Sequence, residues 1–391
     1  MKRRDFLATL PAAGLLLSPH ALAFAATPQS AKRLLVMVYL KGGNDAYNTY
    51  VPLNDAAYKK RRPTIAIARD QLLPFSSTHG FHPAMAPLWT SWQAGDMALV
   101  QGIGQQEITN QHYRDLEMQF TGSAPDKYLT EGWVTRAFAG IPSTTPADGL
   151  DALAFGDLDI READPMGPFR GDKLKVINMQ HPSEWLTRRT VAGTQHLETT
   201  RARDIANRFA QPEVRELKTV FPANEFGDAL RATVQLAAAG LTPPVVHITL
   251  NAANGDHHDA FDTHWNQLKF HGNALARLAG GLAALRDGMI EIGQWQNTLV
   301  ATYDEFGRSP VENENAGTHH GWASTHLVMG GRVRGGLLGE PMPGAEVFYI
   351  SGPPPVIDYR SLYTTIIEQW WGGNARGVFE RRFAPLNLLR A

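Results

Sequence analysis

The sequence of 391 residues contains no cysteine. Disulfide frameworks and thiolate metal sites are therefore excluded, so the stability of the fold has to come from a hydrophobic core. A chain of this length is long enough to bury such a core, either as one large domain or as two.

A strong excess of charge of either sign is also missing. The chain carries 37 basic and 38 acidic side chains, and 34 against 37 remain beyond residue 25. This weakly acidic balance argues against a general nucleic-acid surface or a polybasic membrane surface. Beyond the amino terminus there is no long apolar run, so we expect a soluble mature protein without a stable membrane span.

The amino terminus has the layout of a cleaved signal peptide. Arg3 and Arg4 give a basic start, residues 6–17 are apolar, and residues 21–25 read Ala-Leu-Ala-Phe-Ala. The apolar part is too short to span a bilayer stably. Adjacent arginines followed by Asp-Phe-Leu predict a signal that the twin-arginine translocation machinery recognises, with the periplasm as destination. A general secretory signal or an uncleaved anchor is the alternative for residues 1–25.

Five short apolar runs predict buried strands. They show little polar alternation and are bounded by turn-forming residues, and strands buried on both faces are typical of parallel sheets. The runs cover residues 33–40, 97–103, 245–250, 298–303 and 326–331.

Helical patterns separate these runs. The alternation predicts an α/β fold with a central, mostly parallel sheet flanked by helices, as a single domain over residues 26–391. Residues 359–371 are one such helical pattern, and residues 265–287 place five apolar side chains on one stripe. The stripe in residues 265–287 comprises Leu268, Ala274, Leu278, Leu282 and Leu285.

The polar segment at about 180–235 predicts a helical insertion packed on the sheet.

Metal-capable side chains recur where the predicted strands end. Ligands of open α/β sheets bind beyond the carboxyl ends of the strands. Carboxylates and imidazoles gathered there suit a divalent cation such as zinc, manganese, calcium or magnesium. Each residue alone fits a helix cap, a turn or a solvated loop, and the recurrence favours a site. The segments are 43–45, 254–264 (with His257 and His258), 304–308 and 317–322.

The sequence gives no clear nucleophile. It has no Gly-x-Ser-x-Gly elbow, and Gly102-Ile103-Gly104 lacks the third glycine of a dinucleotide fingerprint because position 107 is Glu. Thr109 follows the second predicted strand, where a helix should begin. Its hydroxyl could attack phosphorus or sulfur near that helix end, or could simply cap the helix.

Several short motifs together resemble the bacterial family of twin-arginine-exported proteins called domain of unknown function 1501. That family is grouped with the sulfatase and alkaline-phosphatase-like fold, and the matching pieces run over nearly the whole mature chain. They are Gly42-Gly43-Asn44-Asp45, residues 80–85, residues 110–123, Asp262-Thr263-His264 with Gln267, Glu305-Phe306-Gly307-Arg308, and His320-Gly321-Trp322 leading to residues 329–331.

The resemblance implies an alkaline-phosphatase-like, three-layer domain with a metal-type site at the carboxyl edge of its sheet. Asp45 looks like the Asp that relatives place after the first strand. Asp262 and His264 are similar to their Asp and His pair. Glu305-Phe306-Gly307 occupies the place of their Asp-His-Gly motif, and His320 stands at the place of their final His. These five residues are the metal-ligand candidates.

The sequence departs from the family pattern at three positions. Phe306 stands where the hydrolases have a ligand histidine, which would weaken or abolish a second metal position. Gln111 and His319 stand where the nearer family usually has Ser and Asp. Loss of that serine puts the covalent nucleophile in doubt, whereas His319 could restore a ligand or do nothing.

The leading hypothesis is a periplasmic, metal-dependent hydrolase-like protein acting on a phosphate or sulfate ester. Thr109 or a water would attack, His112 would act as general acid or orienting group, and Arg308 would contact an anionic oxygen in a bidentate way. The alternative is a non-catalytic exported envelope protein that uses the same fold for binding or assembly. Phe306 and Gln111 motivate it, and a hydrolase with one metal and a water nucleophile lies between the two.

Overall fold

The computed structural model describes residues 33–74, 76–141, 149–156, 167–179, 181–183, 186, 215–251, 260–340 and 351–390. The signal predicted at residues 1–25 lies outside the described residues, and so do His257 and His258. Most of the insertion predicted at about 180–235 lies outside them as well. Its described end is irregular from residue 215 until a helix begins at Glu225.

A mostly parallel sheet forms the centre of the described structure, and two small sheets lie beside it. The strands are β1 (Leu34–Leu40), β2 (Tyr50–Pro52), β3 (Leu73–Pro74), β4 (His79–Phe81), β5 (Met97–Gly104), β6 (Ala152–Phe155), β7 (Val176–Met179), β8 (Val245–Leu250), β9 (Thr298–Tyr303), β10 (Gly307–Glu312), β11 (Thr318–Gly321), β12 (Ala323–Gly330), β13 (Gly336–Leu338) and β14 (Ile357–Asp358).

The α-helices connect these strands, and short 3₁₀ turns complete the connections. The helices are α1 (Ala46–Thr49), α2 (Ala56–Arg61), α3 (Trp89–Ala94), α4 (His112–Thr121), α5 (Trp133–Phe138), α6 (Glu225–Ala238), α7 (Gln267–Glu291) and α8 (Tyr359–Thr365), the last continued by a π-helical turn over Ile366–Trp370.

The central sheet has the order β13-β5-β12-β9-β1-β8-β6-β7, with β14 added beside β5. β1 is parallel to both β8 and β9, and β6 is parallel to β7 and β8. β12 runs antiparallel to its neighbours β9 and β5, so it opposes the direction of the other described strands of this sheet. The predicted α/β fold with a mostly parallel sheet is therefore confirmed.

Helices cover both faces of the sheet, which gives three layers. Alternate residues of β1 face opposite sides: Val36 belongs to one apolar core and Leu35 to another. The first core includes side chains of α6 and α7, and the second includes side chains of α4, α5 and α8. Because both faces of β1 are buried, its sequence does not need to alternate between polar and apolar residues.

The five predicted strands are confirmed, whereas β6 and β7 were missed. Each of these two has four residues, and the polar Asn178 interrupts the apolar run of β7, so neither gives a strong pattern. The long helix is also confirmed as α7, but one member of its predicted stripe is not in the core. Leu268 is 46% exposed, while the other four stripe residues are buried.

The loops that follow four strands meet at one edge of the sheet. Leu40 of β1 pairs with Leu250 of β8, and Tyr39 pairs with Tyr303 of β9, so these strands end together. Gly104, the last residue of β5, pairs with Ala323 at the start of the antiparallel β12, which brings β5 to the same edge.

Among the described helices, none combines the length and apolar character that crossing a membrane requires.

We predict that Leu282→Ala lowers the free energy of unfolding by about 2–5 kcal/mol, because it leaves a cavity between α7 and the sheet. Leu282 is 1% exposed. Leu268→Ala on the same helix is the matched control, and its effect should stay within about 0.5 kcal/mol because that side chain is largely in solvent. Urea unfolding of both variants measures the difference. Equal losses would contradict the described burial of α7.

Candidate metal centre

Four side chains converge at this edge of the sheet: His112, Asp262, His264 and His320. Within the described part of the chain, their ligand atoms all lie within 4.8 Å of one another. His264 Nε2 is 3.0 Å from Asp262 Oδ1 and 3.1 Å from His320 Nε2. The Nε2 atoms of His112 and His320 are each 3.6 Å from Asp262 Oδ1. We call these four residues the histidine–aspartate cluster.

The four members of the cluster come from three connections around the sheet edge. Asp262 and His264 lie in the loop between β8 and α7, and His112 is the first residue of α4, after β5. His320 lies on β11, directly opposite Arg308 on β10 in an antiparallel hairpin. This hairpin is inserted between β9 and β12, so the topology brings His320 back to the carboxyl edge.

Gly42 allows the loop carrying Asp262 to approach the end of β1. Its φ of +108° lies in a region that side chains rarely adopt, and a Cβ there would be 2.2 Å from the backbone nitrogen of Asp262. The glycine after β1 is therefore needed for the close approach that positions Asp262.

The hydrogen bonds of two histidines direct their lone pairs toward the cluster. His320 Nδ1 is 3.1 Å from the carbonyl oxygen of Asn110, and His112 Nδ1 is 2.8 Å from Glu305 Oε1. A carbonyl or carboxylate oxygen accepts, so in each imidazole Nδ1 carries the proton. Nε2 is then left unprotonated, which is the arrangement found in metal-binding histidines.

The spacing and chemistry of the cluster fit a single cation. Ligand atoms held about 2.0–2.1 Å from a tetrahedral ion lie about 3.3 Å apart. The separations of 3.0, 3.1, 3.6 and 3.6 Å lie on either side of this value, and every pair of ligand atoms in the cluster lies within 4.8 Å. Three imidazole nitrogens and one carboxylate oxygen this close together are stabilised by a shared proton or by a cation between them. The histidine–aspartate cluster can therefore hold a metal ion.

The charges around the cluster favour the ligating forms of Asp262 and His320, whereas they act in the opposite direction on His112. Burial would raise the pKa of Asp262, but its contacts with His264 and His320 and the charge of Arg308 hold it well below its usual range. Burial lowers the pKa of His320, aided by Arg308 and opposed by Asp262. For His112, burial also lowers the pKa, but the hydrogen bond and charge of Glu305 outweigh it, so the pKa is raised.

Phe306 packs against the cluster and adds no ligand. Its ring centroid is 4.1 Å from that of His320, in a stacked arrangement, and 4.8 Å from that of His112. The side chain is 2% exposed. Phe306 is thus an apolar wall that restricts the orientation of two imidazole rings.

Asp45 lies outside the cluster, contrary to the role expected of it as a ligand. Its Oδ1 accepts hydrogen bonds from the backbone nitrogens of Tyr47 and Asn48, so it caps α1. Its Oδ2 accepts from Arg62 at 2.5 Å and from Gln267. Asp45 and Arg62 are fully buried, and the guanidinium supplies the counter-charge that a cation would otherwise supply.

Arg308 is part of the scaffold, which corrects its expected role in contacting a substrate. Its side chain is fully buried, and it donates to the Asp262 carboxylate. Every nitrogen of the guanidinium also donates to at least one backbone carbonyl. The carbonyl acceptors belong to Gly42, Gly43, Phe261 and Thr318.

Thr109 and Glu305, two further predicted site residues, lie next to the cluster. Thr109 is exposed and precedes the N-cap of α4, which is Gln111, so it is not the cap. Its hydroxyl donates to Oδ1 of the buried Asp115 at 3.0 Å. Glu305 lies behind His112, where its Oε1 also accepts from the backbone nitrogen of Gly42 at 3.0 Å.

The structure gives His112 a position that differs from the role predicted for it from the sequence. It was expected to act as a general acid or orienting group, but the structure gives it the same type of position as the three ligand candidates. Its location at the first residue of a helix after β5 was visible as a pattern. The spatial meeting with Asp262 depends on a residue 150 positions later, and spacing along the chain carries no signal for it.

A family model described as "Protein of unknown function (DUF1501)" matches residues 192–343. The matched range contains Asp262, His264, Glu305 and His320. No curated protein matches the sequence.

Several solved structures match much of this chain at low identity. The C-terminal periplasmic domain of EcEptC from Escherichia coli, in complex with Zn, is 11% identical, with 77% of this chain and 73% of that chain covered and a TM-score of 0.39. The PsFucS1 sulfatase from Pseudoalteromonas sp. is 10% identical, with 92% and 71% covered and a TM-score of 0.41. Phosphonate monoester hydrolase SpPMH from Silicibacter pomeroyi is 13% identical, with 88% and 74% covered and a TM-score of 0.40. Likenesses at this level carry over no residue role and no activity.

We predict that Asp115 makes the stability of the protein depend on pH. Burial raises the pKa of Asp115 from 3.8 to about 6. The folded state therefore binds this proton more tightly than the unfolded state. The resulting stabilisation is complete below about pH 4 and is lost as the pH rises through about 6.

The matched variant is Asp115→Asn, which does not titrate and keeps an acceptor oxygen for Thr109. Between pH 4 and pH 7 the free energy of unfolding of the wild type should fall by roughly 2–3 kcal/mol relative to the variant. Urea unfolding at both pH values measures this difference. A gap between the two proteins that stays constant with pH would contradict the prediction.

Proposed function

We propose that this protein is a periplasmic, metal-dependent hydrolase-like protein that acts on a phosphate or sulfate ester. The observation that supports this most directly is the histidine–aspartate cluster at the carboxyl edge of the sheet. Three imidazole Nε2 atoms and one carboxylate oxygen converge there while remaining partly open to solvent. The side chains of Asp262 and His264 are 23% and 32% exposed, so a small anionic group can reach them.

The donor set favours zinc or a similar transition metal among the four candidate cations. Imidazole nitrogen suits such metals, whereas calcium and magnesium prefer shells made of oxygen atoms. A cation bound by His112, Asp262, His264 and His320 would supply Lewis acidity toward an oxygen of the ester. Because Asp45 is paired with Arg62, the proposal contains one cation per chain.

The remaining roles in the proposal belong to groups beside the cluster. Thr109 is exposed, and Asn110, the next residue, accepts the hydrogen bond of His320. The hydroxyl of Thr109 points its proton at Asp115 Oδ1, 3.0 Å away. A carboxyl group with a pKa of about 6 can accept a proton near neutral pH. These contacts support attack by the Thr109 oxygen on phosphorus or sulfur, with its proton passing to Asp115. The bond to the ester oxygen breaks, and the alcohol leaves after taking a proton from water. Attack by water is the other form of the reaction.

One observation favours the second candidate, a non-catalytic envelope protein that binds or assembles. Four protein ligands complete a tetrahedral shell, whereas catalytic zinc sites keep one position open. Arg308 is committed to backbone carbonyls, so it offers no donor to an anionic substrate. In this form the cation would stabilise the loops at the sheet edge.

The two candidates are distinguished by turnover of simple esters. We predict that the mature protein hydrolyses an aryl phosphate or aryl sulfate, that a chelator abolishes the activity, and that added metal restores it. His264→Ala should lower kcat/KM by at least about 100-fold because it removes a ligand. His319→Ala is the matched control, since this exposed neighbour of His320 is not in the cluster, and it should leave kcat/KM unchanged.

Each result decides between the candidates. Metal bound tightly by the wild type but not by His264→Ala, with no turnover of either ester class, would favour the non-catalytic protein. Hydrolysis that survives chelation, with His264→Ala as active as the wild type, would contradict the metal-dependent proposal.

We also predict export through the twin-arginine route. Replacing both Arg3 and Arg4 by lysine should keep the precursor in the cytoplasm, because the receptor reads the arginine pair and a lysine pair keeps only the charge. Lys2→Arg is the control and should be exported normally. Cell fractionation with an antibody to the protein measures the distribution. Normal export of the lysine-pair variant would point to the general secretory route instead.

A further inference from the structure

His112 and His320 have different kinds of hydrogen-bond acceptor, and a substitution can remove only the acceptor of His112. Both rings direct Nε2 into the histidine–aspartate cluster and have an acceptor at Nδ1. The acceptor of His320 is the backbone carbonyl of Asn110, which any residue would supply. The acceptor of His112 is the side chain of Glu305, at 2.8 Å, which a substitution can remove.

Glu305 is held firmly by the backbone that surrounds it. It comes two residues after the end of β9, its side chain is 1% exposed, and its Oε1 accepts from the backbone nitrogen of Gly42 at 3.0 Å. Because Oε1 already accepts from an amide, it is oriented as an acceptor toward His112 as well. This fixed contact determines which nitrogen of His112 carries the proton.

The other carboxylate oxygen of Glu305 indicates that the side chain is not optimised for stability. Oε2 is buried, and no hydrogen-bond partner for it is found among the described residues. A buried polar atom without a partner is unfavourable. A glutamate at this position therefore has to be explained by its contact with His112 and not by its contribution to the core.

We propose that Glu305 is a positioning residue that selects the Nδ1-protonated tautomer of His112 and so presents His112 Nε2 to the cation. This inference depends on the proposed function in assigning His112 as a ligand. Glu305 itself does not belong to the group of atoms that lie within 4.8 Å of one another, so it acts through His112.

Loss of Glu305 changes which nitrogen of His112 carries the proton, and so whether a proton faces the cluster. Without an acceptor at Nδ1, the remaining acceptor for His112 is Asp262 Oδ1, which is 3.6 Å from Nε2. The ring then gains by carrying its proton on Nε2 and donating it to Asp262. A proton on Nε2 blocks this ligand and competes for the carboxylate oxygen at the same time.

Two substitutions separate the acceptor from the charge of Glu305. Glu305→Gln keeps an oxygen that can accept from His112 and Gly42, whereas Glu305→Leu removes the acceptor and keeps a similar volume. We predict that Glu305→Leu weakens binding of Zn²⁺ by about 10–100-fold, as is usual when such a partner is lost, and that Glu305→Gln weakens it less than Glu305→Leu. Competition with a chromophoric chelator measures both affinities.

The decisive readout is the tautomer of His112 in the metal-free protein, measured from imidazole nitrogen shifts in long-range ¹H–¹⁵N spectra at a pH where the ring is neutral. The wild type and Glu305→Gln should show protonated Nδ1, and Glu305→Leu should show protonated Nε2. His320 is the internal control, because its backbone acceptor is untouched, and its tautomer should be the same in all three proteins.

Several outcomes would overturn the inference. A wild-type His112 protonated on Nε2 would do so without any variant, even if Glu305→Leu failed to fold. Retention of the Nδ1 proton in Glu305→Leu, or unchanged Zn²⁺ affinity in that variant, would also overturn it. Absence of Zn²⁺ binding by the wild type would sink the proposed function, and the spectra of the metal-free protein would still decide the role of Glu305.

Discussion

The arrangement of the sheet edge depends on the buried guanidinium of Arg308. It donates to carbonyl oxygens in the connection after β1, in the loop after β8 and on β11, and it pairs with the carboxylate of Asp262. Three separate segments are thereby tied to one side chain. Against the effect of burial, the contacts of Asp262 with His264 and His320, together with the charge of Arg308, hold its pKa well below the usual range. Arg308 therefore ties together the segments that carry His264 and His320 and also contributes to the charge of the site.

Much of the fold followed from apolar runs in the sequence, because strands covered on both faces leave a strong pattern. β1, β5, β8, β9 and most of β12 were predicted in this way. β6 and β7 were not, since four-residue strands carry too little signal. The edge at which polar residues gather could also be predicted, because parallel strands share one carboxyl end. This reasoning identified the segments that contain Asp262, His264 and His320.

What the sequence could not provide was the partner of each polar side chain. Asp45 and Asp262 both follow a buried strand, and nothing in their spacing separates them. The structure separates them through tertiary contacts. Each carboxylate pairs with a buried guanidinium, Arg62 for Asp45 and Arg308 for Asp262. Asp262 also faces the imidazoles of the cluster. His112 was recognised as chemically relevant, but its contact with Glu305 spans 193 positions. Roles that depend on such contacts follow from topology and not from local pattern.

The central claim is that one cation binds to three imidazole nitrogens and one carboxylate oxygen. The most direct test is X-ray absorption spectroscopy at the metal edge on mature protein purified without a chelator. We predict one metal ion per chain, with a first shell of about three nitrogen ligands and one oxygen ligand at roughly 2.0–2.1 Å, lost in Asp262→Ala. A metal-free protein, or a bound metal whose shell is unchanged by Asp262→Ala, would contradict the account.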